Sequence, residues 1–239
     1  LIRGKRHFAG FEQDVDALMR GDLTEEQTRE RVRRIDPIGQ RGYRFYAIAP
    51  KERMISLDDK IYALLEKDTD TAHRCTFIEW RRMMLALCRE EEGLNAEEAL
   101  ARFDDLLTRA EIDRQAVAIG QSDLREDRMQ MGASLCEAVY AARAAKLCGK
   151  AAQTAHELGL YAYLFPMSEN PFVCDRCRRV LSAIREYDAQ NHTNLEQTAL
   201  VYVKENMEIA AAAKALFQHP NTVRYRLSKI QRIMGMEDD

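Results

Sequence analysis

The chain has 239 residues, 46 % of them hydrophobic and 31 % charged, which is enough for two domains with separate cores. Its formal net charge of −3 excludes a polycation that binds nucleic acid indiscriminately, so any affinity for a polyanion must be local. No apolar run approaches the ~20 residues that cross a bilayer, and the N-terminus shows no apolar secretion segment. Six cysteines without such a signal (Cys75, Cys88, Cys136, Cys148, Cys174, Cys177) read as reduced, mostly buried residues of a cytoplasmic protein. The opening Leu1-Ile2-Arg3-Gly4-Lys5 has no initiator Met, and further sequence upstream is expected.

In chain order, Phe8, Phe11, Val15 and Leu18 make one apolar stripe on a helix from Lys5 to Leu18. This is either a dimer helix or a helix packed on the next domain. Thr24-Glu25-Glu26-Gln27 is a capping box that opens a second helix, and Asp36-Pro37 ends it near Ile35. Tyr43 to Ala49, short, aromatic and closed by Pro50, predicts a strand. A helix over Leu57 to Glu66 follows, then strands over Ala72 to Glu79 and Arg82 to Cys88 joined at Trp80-Arg81 as a hairpin. Next come a helix over Ala96 to Thr108, a strand over Ala116 to Gly120 and a long helix from Met129 to Leu147 lined with Ala138, Ala141, Ala142 and Ala145. This order is an α+β pattern with a mainly antiparallel sheet covered on one face. After Tyr163-Leu164-Phe165-Pro166 no strand candidates remain. Helices are expected over Phe172 to Asp188, Leu195 to Asn206, Ile209 to Leu216 and Pro220 to Met234. The predicted organisation is a helical linker over 1–36, an α+β domain over 37–165, and an all-helical domain over 166–239.

The last two helices carry the chemistry. Ile209 to Leu216 is almost all alanine, which lets another helix cross closely, and Phe217-Gln218-His219 is a short turn. Pro220 then sits at a first helical position, where its missing amide costs nothing. At about 100° per residue, Val223, Leu227, Ile230 and Met234 stack toward the core. The opposite arc holds Asn221, Tyr225, Ser228 and Arg232, with Thr222 and Lys229 beside it and Arg224 and Arg226 on the flanks. Between His219 and Met234 the charged residues are Arg224, Arg226, Lys229 and Arg232, with no carboxylate. Such a helix suits the major groove of double-stranded DNA. Asn221, Thr222, Tyr225, Ser228 and Lys229 are the candidate base readers. His219, Arg224, Arg226 and Arg232 are the candidate backbone contacts.

Ala215 to Leu227, continuing through Ile230 to Met234-Gly235-Met236, resembles the C-terminal helix-turn-helix of the PucR/CdaR family of bacterial regulators. Leu158-Gly159-Leu160-Tyr161, Tyr187-Asp188, Leu195-Glu196-Gln197-Thr198 and Ser134 to Ala145 resemble the same family, so the likeness spans nearly the whole chain. It implies a degenerate GGDEF-like (ferredoxin/cyclase-like) α+β domain before the DNA-binding domain, and a sensor domain upstream through which a small-molecule effector acts. Met207-Glu208 stands where the family usually has Gly-Asn. The resemblance implies a transcription regulator of a catabolic or metabolic operon, and reading enough base pairs calls for a homodimer or higher homo-oligomer.

Rival readings are weaker. A nucleotide cyclase needs a Gly-Gly turn at its hairpin tip with adjacent carboxylates, and here the hairpin reads Ile78-Glu79-Trp80-Arg81-Arg82. No enzyme activity and no cofactor are expected, and Trp80 is expected to pack or to join a partner surface. Cys174-Asp175-Arg176-Cys177 lacks a second ligand pair for zinc, so no metal site is expected and buried packing is the plain reading. The other class of function is a ligand-binding or oligomerisation module whose helical tail contacts protein.

Overall fold

The computed structural model describes residues 10–39, 42–51, 57–90 and 93–236. Residues 5–9 of the predicted first helix, Phe8 included, lie outside them. The chain divides into two units between Phe165 and Pro166.

The first unit holds helices α1 (Glu12–Arg20) and α2 (Glu25–Ile35), strand β1 (Tyr43–Pro50), helices α3 (Leu57–Lys67) and α4 (Thr69–Arg74), and strands β2 (Cys75–Trp80) and β3 (Met83–Arg89). Then follow α5 (Ala96–Arg109), β4 (Val117–Gln121), α6 (Met131–Leu147) and β5 (Ala152–Thr154). The sheet order is β2-β3-β1-β4-β5, antiparallel except for the β4–β5 pair. The path β-α-β-β-α-β through β4 is the ferredoxin-like split βαβ arrangement, so the α+β class holds.

Both faces of the sheet are covered, which corrects the expectation of one. Along β1 the alternation sends Phe45, Ala47 and Ala49 into one cluster, with Leu135, Ala138 and Ala142 of α6. Tyr46 and Ile48 enter the other, with Ile61 of α3 and Phe103, Leu106 and Leu107 of α5. A strand apolar on both sides reads as a continuous apolar run, so the pattern does not count the covered faces. Tyr46 stacks on Phe103 with ring centroids 4.0 Å apart.

The N-terminal helices join the first of these clusters through Val15, Leu18, Val32 and Ile35. Of the two alternatives for the Phe8–Leu18 stripe, the described part takes the packed one. Both arms of the Thr24 capping box form, Gln27 N donating to Thr24 Oγ1 at 3.3 Å and Thr24 N to Gln27 Oε1 at 3.0 Å. Trp80 is buried, and its Nε1 donates to Asp16 of α1 at 2.9 Å. Where α2 ends, the buried Asp36 carboxylate accepts from Arg89 Nη2 at 2.7 Å and lies 3.3 Å from Arg128.

Three boundaries differ from expectation. The strand predicted from Ala72 begins at Cys75, because Asp68 accepts the amides of Asp70 and Thr71, both at 3.1 Å, and starts α4 instead. Strand β5 has three residues without alternation and is made by pairing, Ile119 beside Ala152. Helix α7 (Tyr161–Glu169), which is not among the expected helices, contains Pro166 within it.

The second unit is helical: α8 (Pro171–Asn191), α9 (Leu195–Lys204), α10 (Ile209–Ala215) and α11 (Pro220–Met234). Ile184, Leu195 and Ile230 form one buried cluster, and Ala212, Ala213 and Val223 another. The expectation of mostly buried cysteines fails. Only Cys75 and Cys88 are buried, Cys174 is half-buried with its thiol donating to Ser168 O at 2.8 Å, and Cys177 is exposed. Among the described residues no helix is long and apolar enough to cross a membrane.

Candidate nucleic-acid interface

The interface begins with a close helix crossing. Ala212 and Ala213 of α10 meet Val223 of α11, all three buried, since methyl side chains leave no bulk to hold the axes apart. The turn between them closes on backbone bonds, Gln218 N to Ala213 O at 2.9 Å and Phe217 N to Lys214 O at 3.2 Å. Phe217 adopts a left-handed φ of 53°, and its ring is 93 % exposed. His219 caps α11, its Nδ1 accepting the Asn221 amide at 3.2 Å. Pro220 takes the first helical position.

Along α11 the predicted inward arc is inward. Val223 and Ile230 are buried, with Leu227, Ile233 and Met234 packed beside them. Asn221, Arg224, Tyr225, Ser228, Gln231 and Arg232 are exposed, and together they form one outward arc. Arg224 Nη1 donates to Asn221 Oδ1 at 2.8 Å, tying a predicted backbone contact to a predicted base reader. Tyr225 stands 66 % exposed.

Three predicted site residues turn away from that arc. Thr222 is half-buried. Lys229, also half-buried, sits 4.8 Å from the centroid of the Tyr187 ring, a cation–π contact with α8. Half-buried Arg226 donates through Nη1 to Thr198 Oγ1 of α9 at 3.2 Å. Lys229 and Arg226 tie α11 to its own unit. A helical wheel places them between core and solvent but does not say which neighbour they meet.

Sequence reasoning missed the residue that holds this frame. Asp188, near the end of α8, accepts the Leu195 amide at 2.8 Å, the Glu196 amide at 3.1 Å and the Thr193 hydroxyl at 2.6 Å. It thereby caps α9 from outside. Burial pushes its carboxyl up, but those bonds and the positive charge of Arg226 outweigh burial and hold it below the usual carboxylate range. Asp188→Asn is therefore expected to lower the stability of the helical unit by ~1 kcal/mol at neutral pH, the usual scale of a lost cap. A depressed folded value stabilises above the unfolded value near ~3.9 and loses that contribution as pH falls through the folded value. The gap between wild type and variant should close on acidification, and unfolding midpoints of the full chain across pH 7 to 3 would show it. A gap that stays constant over that range would contradict this role. Nearby, Arg185 grips Glu196 with Nε to Oε2 at 2.9 Å and Nη2 to Oε1 at 2.6 Å, a bidentate pair on the surface.

Comparison with known proteins matches residues 195–237 to the PucR C-terminal helix-turn-helix domain. That segment of the C-terminal unit is similar to a PucR helix-turn-helix domain. The PucR match starts where Asp188 caps α9 and ends beyond α11, so it takes in the crossing, the turn and the outward arc. The chain is 26 % identical over 124 residues to the proline-responsive transcriptional activator PutR of Bacillus subtilis, covering 51 % of this chain and 30 % of PutR. It is 31 % identical over 81 residues to the DNA-binding transcriptional activator AdeR of the same organism, covering 34 % of this chain and 19 % of AdeR. The matched stretches thus span less than a third of either relative. A solved regulator of polyketide synthase expression from Bifidobacterium adolescentis aligns over 94 % of this chain and 88 % of its own, at 16 % identity and a TM-score of 0.44. In the matched segment the left-handed Met207, φ 62°, stands where the resemblance to the PucR/CdaR family leads to an expected glycine. A side chain at that φ costs about 1 kcal/mol, and glycine is free of that cost.

Proposed function

We propose that the chain is the DNA-binding portion of a sequence-specific transcription regulator that controls a catabolic or metabolic operon in response to an effector. The observation that carries this reading is the outward arc of α11, where Asn221, Tyr225 and Ser228 present amide and hydroxyl groups, with Arg224 and Arg232 beside them and no carboxylate. Amide and hydroxyl groups suit base edges, and guanidinium groups suit phosphates. The PucR domain match and the two activators to which the chain is similar support the same reading. One helix of 15 residues reads few base pairs, so the protein works as a homodimer or higher homo-oligomer on double-stranded DNA in the cytoplasm. The effector acts through a domain upstream.

The α+β unit serves this regulator without catalysis. Its hairpin tip is Arg81-Arg82, flanked by a buried Trp80, and lacks the bare glycine backbone on which a cyclase holds a nucleotide.

Selection of bound duplexes from a random pool is the direct test. The expected result is an enriched motif whose affinity falls steeply with salt as counterions are released. A pool that stays unenriched, with binding insensitive to salt, would instead favour a helical tail that contacts protein.

A further inference from the structure

The hairpin tip and the end of β1 enclose a concavity of about 400 Å³, well away from the chemistry of α11 in sequence. Of the nine described residues that line it, five are cations: Lys51, Arg81, Arg82, Arg143 and Lys146. The other four described ones are apolar, and a described carboxylate, Asp16, pairs with the lining cation Arg81, in a chain whose net charge is −3. A second concavity of this unit, near α5, mixes Asp70, Glu90 and Asp105 with its arginines. Single-sign lining of a concave surface focuses the field and concentrates a counterion.

The cations are also held in place. Arg81 is the first residue of the two-residue hairpin tip and adopts a left-handed φ of 52°, a conformation that costs a side chain energy and persists where surroundings impose it. Here the surroundings are Asp16, whose Oδ1 accepts from Arg81 Nη2 at 3.2 Å and from Trp80 Nε1 at 2.9 Å, and the Trp80 ring 4.4 Å beneath the guanidinium. Lys146 donates from Nζ to Pro50 O at 2.6 Å, which pins the end of α6 to the end of β1 and keeps an ammonium on the rim. Arg143 leans over Tyr140 at 5.8 Å. Asp16 and Pro50 thus set the direction of two of the charges before any ligand arrives.

We propose that this concavity binds a small phosphorylated metabolite carrying at least two phosphate charges. The planar guanidinium groups of Arg81 and Arg82 match phosphate oxygens, and Lys51 and Lys146 add point charges. The volume falls in the range of small-molecule sites, about 300–1,000 Å³. Met83 and Pro50 leave apolar surface for the organic part of the ligand. None of its described lining residues belongs to α11.

Isothermal titration calorimetry of the full chain with sodium tripolyphosphate at fixed ionic strength tests the proposal. The expected result is one saturable site, weakened at least tenfold in the double variant K51A/R82A and unchanged in R224A. Arg82 is exposed and Lys51 half-buried, and circular dichroism checks that the variant folds. Four results would overturn the proposal: no saturable binding, equal affinity for citrate at the same ionic strength, equal loss in R224A, or displacement of tripolyphosphate from R224A by duplex DNA. The last would make the concavity a DNA contact.

Discussion

Replacing Arg224 with alanine is expected to weaken binding to a selected duplex by about tenfold and to reduce its salt slope by about one, with the unfolding midpoint unchanged. Arg224 is exposed on α11, and its one described partner, Asn221, lies on the same helix three residues back. Removing it takes a cation from the arc and leaves no buried group unpaired. Arg226→Ala should behave in the opposite way. Its guanidinium donates to Thr198 and faces the Asp188 carboxylate, so alanine leaves the hydroxyl without that donor and the carboxylate without its cation. A lost bond of this charged kind costs ~1–3 kcal/mol. The variant should melt earlier, and its DNA affinity should fall through disorder of the reading helix, with the salt slope kept. Fluorescence anisotropy across a salt series, read beside thermal unfolding of the same samples, separates the two arginines. If Arg226→Ala lowers the slope by one at an unchanged midpoint, that residue contacts phosphate and its bond to Thr198 is incidental.

This contrast marks what the sequence can and cannot say about the site. Helical period alone placed Val223, Leu227, Ile230 and Met234 inward and Asn221, Tyr225 and Ser228 outward, because 100° per residue fixes those arcs whatever the neighbours are. The flanks are different. Arg226 and Lys229 lie between core and solvent, and whether they face DNA or their own domain depends on Thr198 and Tyr187, which approach from helices distant in the chain. Asp188 was hidden for the same reason. It belongs to α8 by position but caps α9 across a turn. In the first unit, capping at Thr24 is local and legible, and its box forms. Strand β5 and the coverage of the second sheet face are consequences of pairing and packing at long range, so no local pattern announced them.

Substituting Gly120 with alanine is expected to be the most damaging single methyl in the first unit. A Cβ at this position of β4 would lie 2.0 Å from Ala138 O, 2.2 Å from Ala142 N and 2.9 Å from Ala141 C. All three atoms are helix backbone, so no side chain can rotate away, and α6 must lift from the sheet. That lift opens the cluster in which Leu135, Ala138 and Ala142 meet Phe45 and Ala47. Overpacking of a core typically costs about 1–3 kcal/mol, and a contact against rigid backbone belongs at or above the top of that range. For a unit of this size, ~3 kcal/mol corresponds to a fall in midpoint of roughly 6–12 °C. Gly21→Ala is the matched control. Gly21 ends α1 at φ 71° with nothing within 4 Å of its added Cβ, so alanine there meets only the left-handed penalty of about 1 kcal/mol. Hydrogen exchange should show protection lost across β1, β4 and α6 in Gly120→Ala, while the helices of residues 166–239, which have their own cores, keep theirs. A Gly120→Ala protein that melts no earlier than Gly21→Ala would mean that α6 rides higher on the sheet than these distances allow. The alanine row from Ala138 to Ala145 would then have some purpose other than close approach to β4.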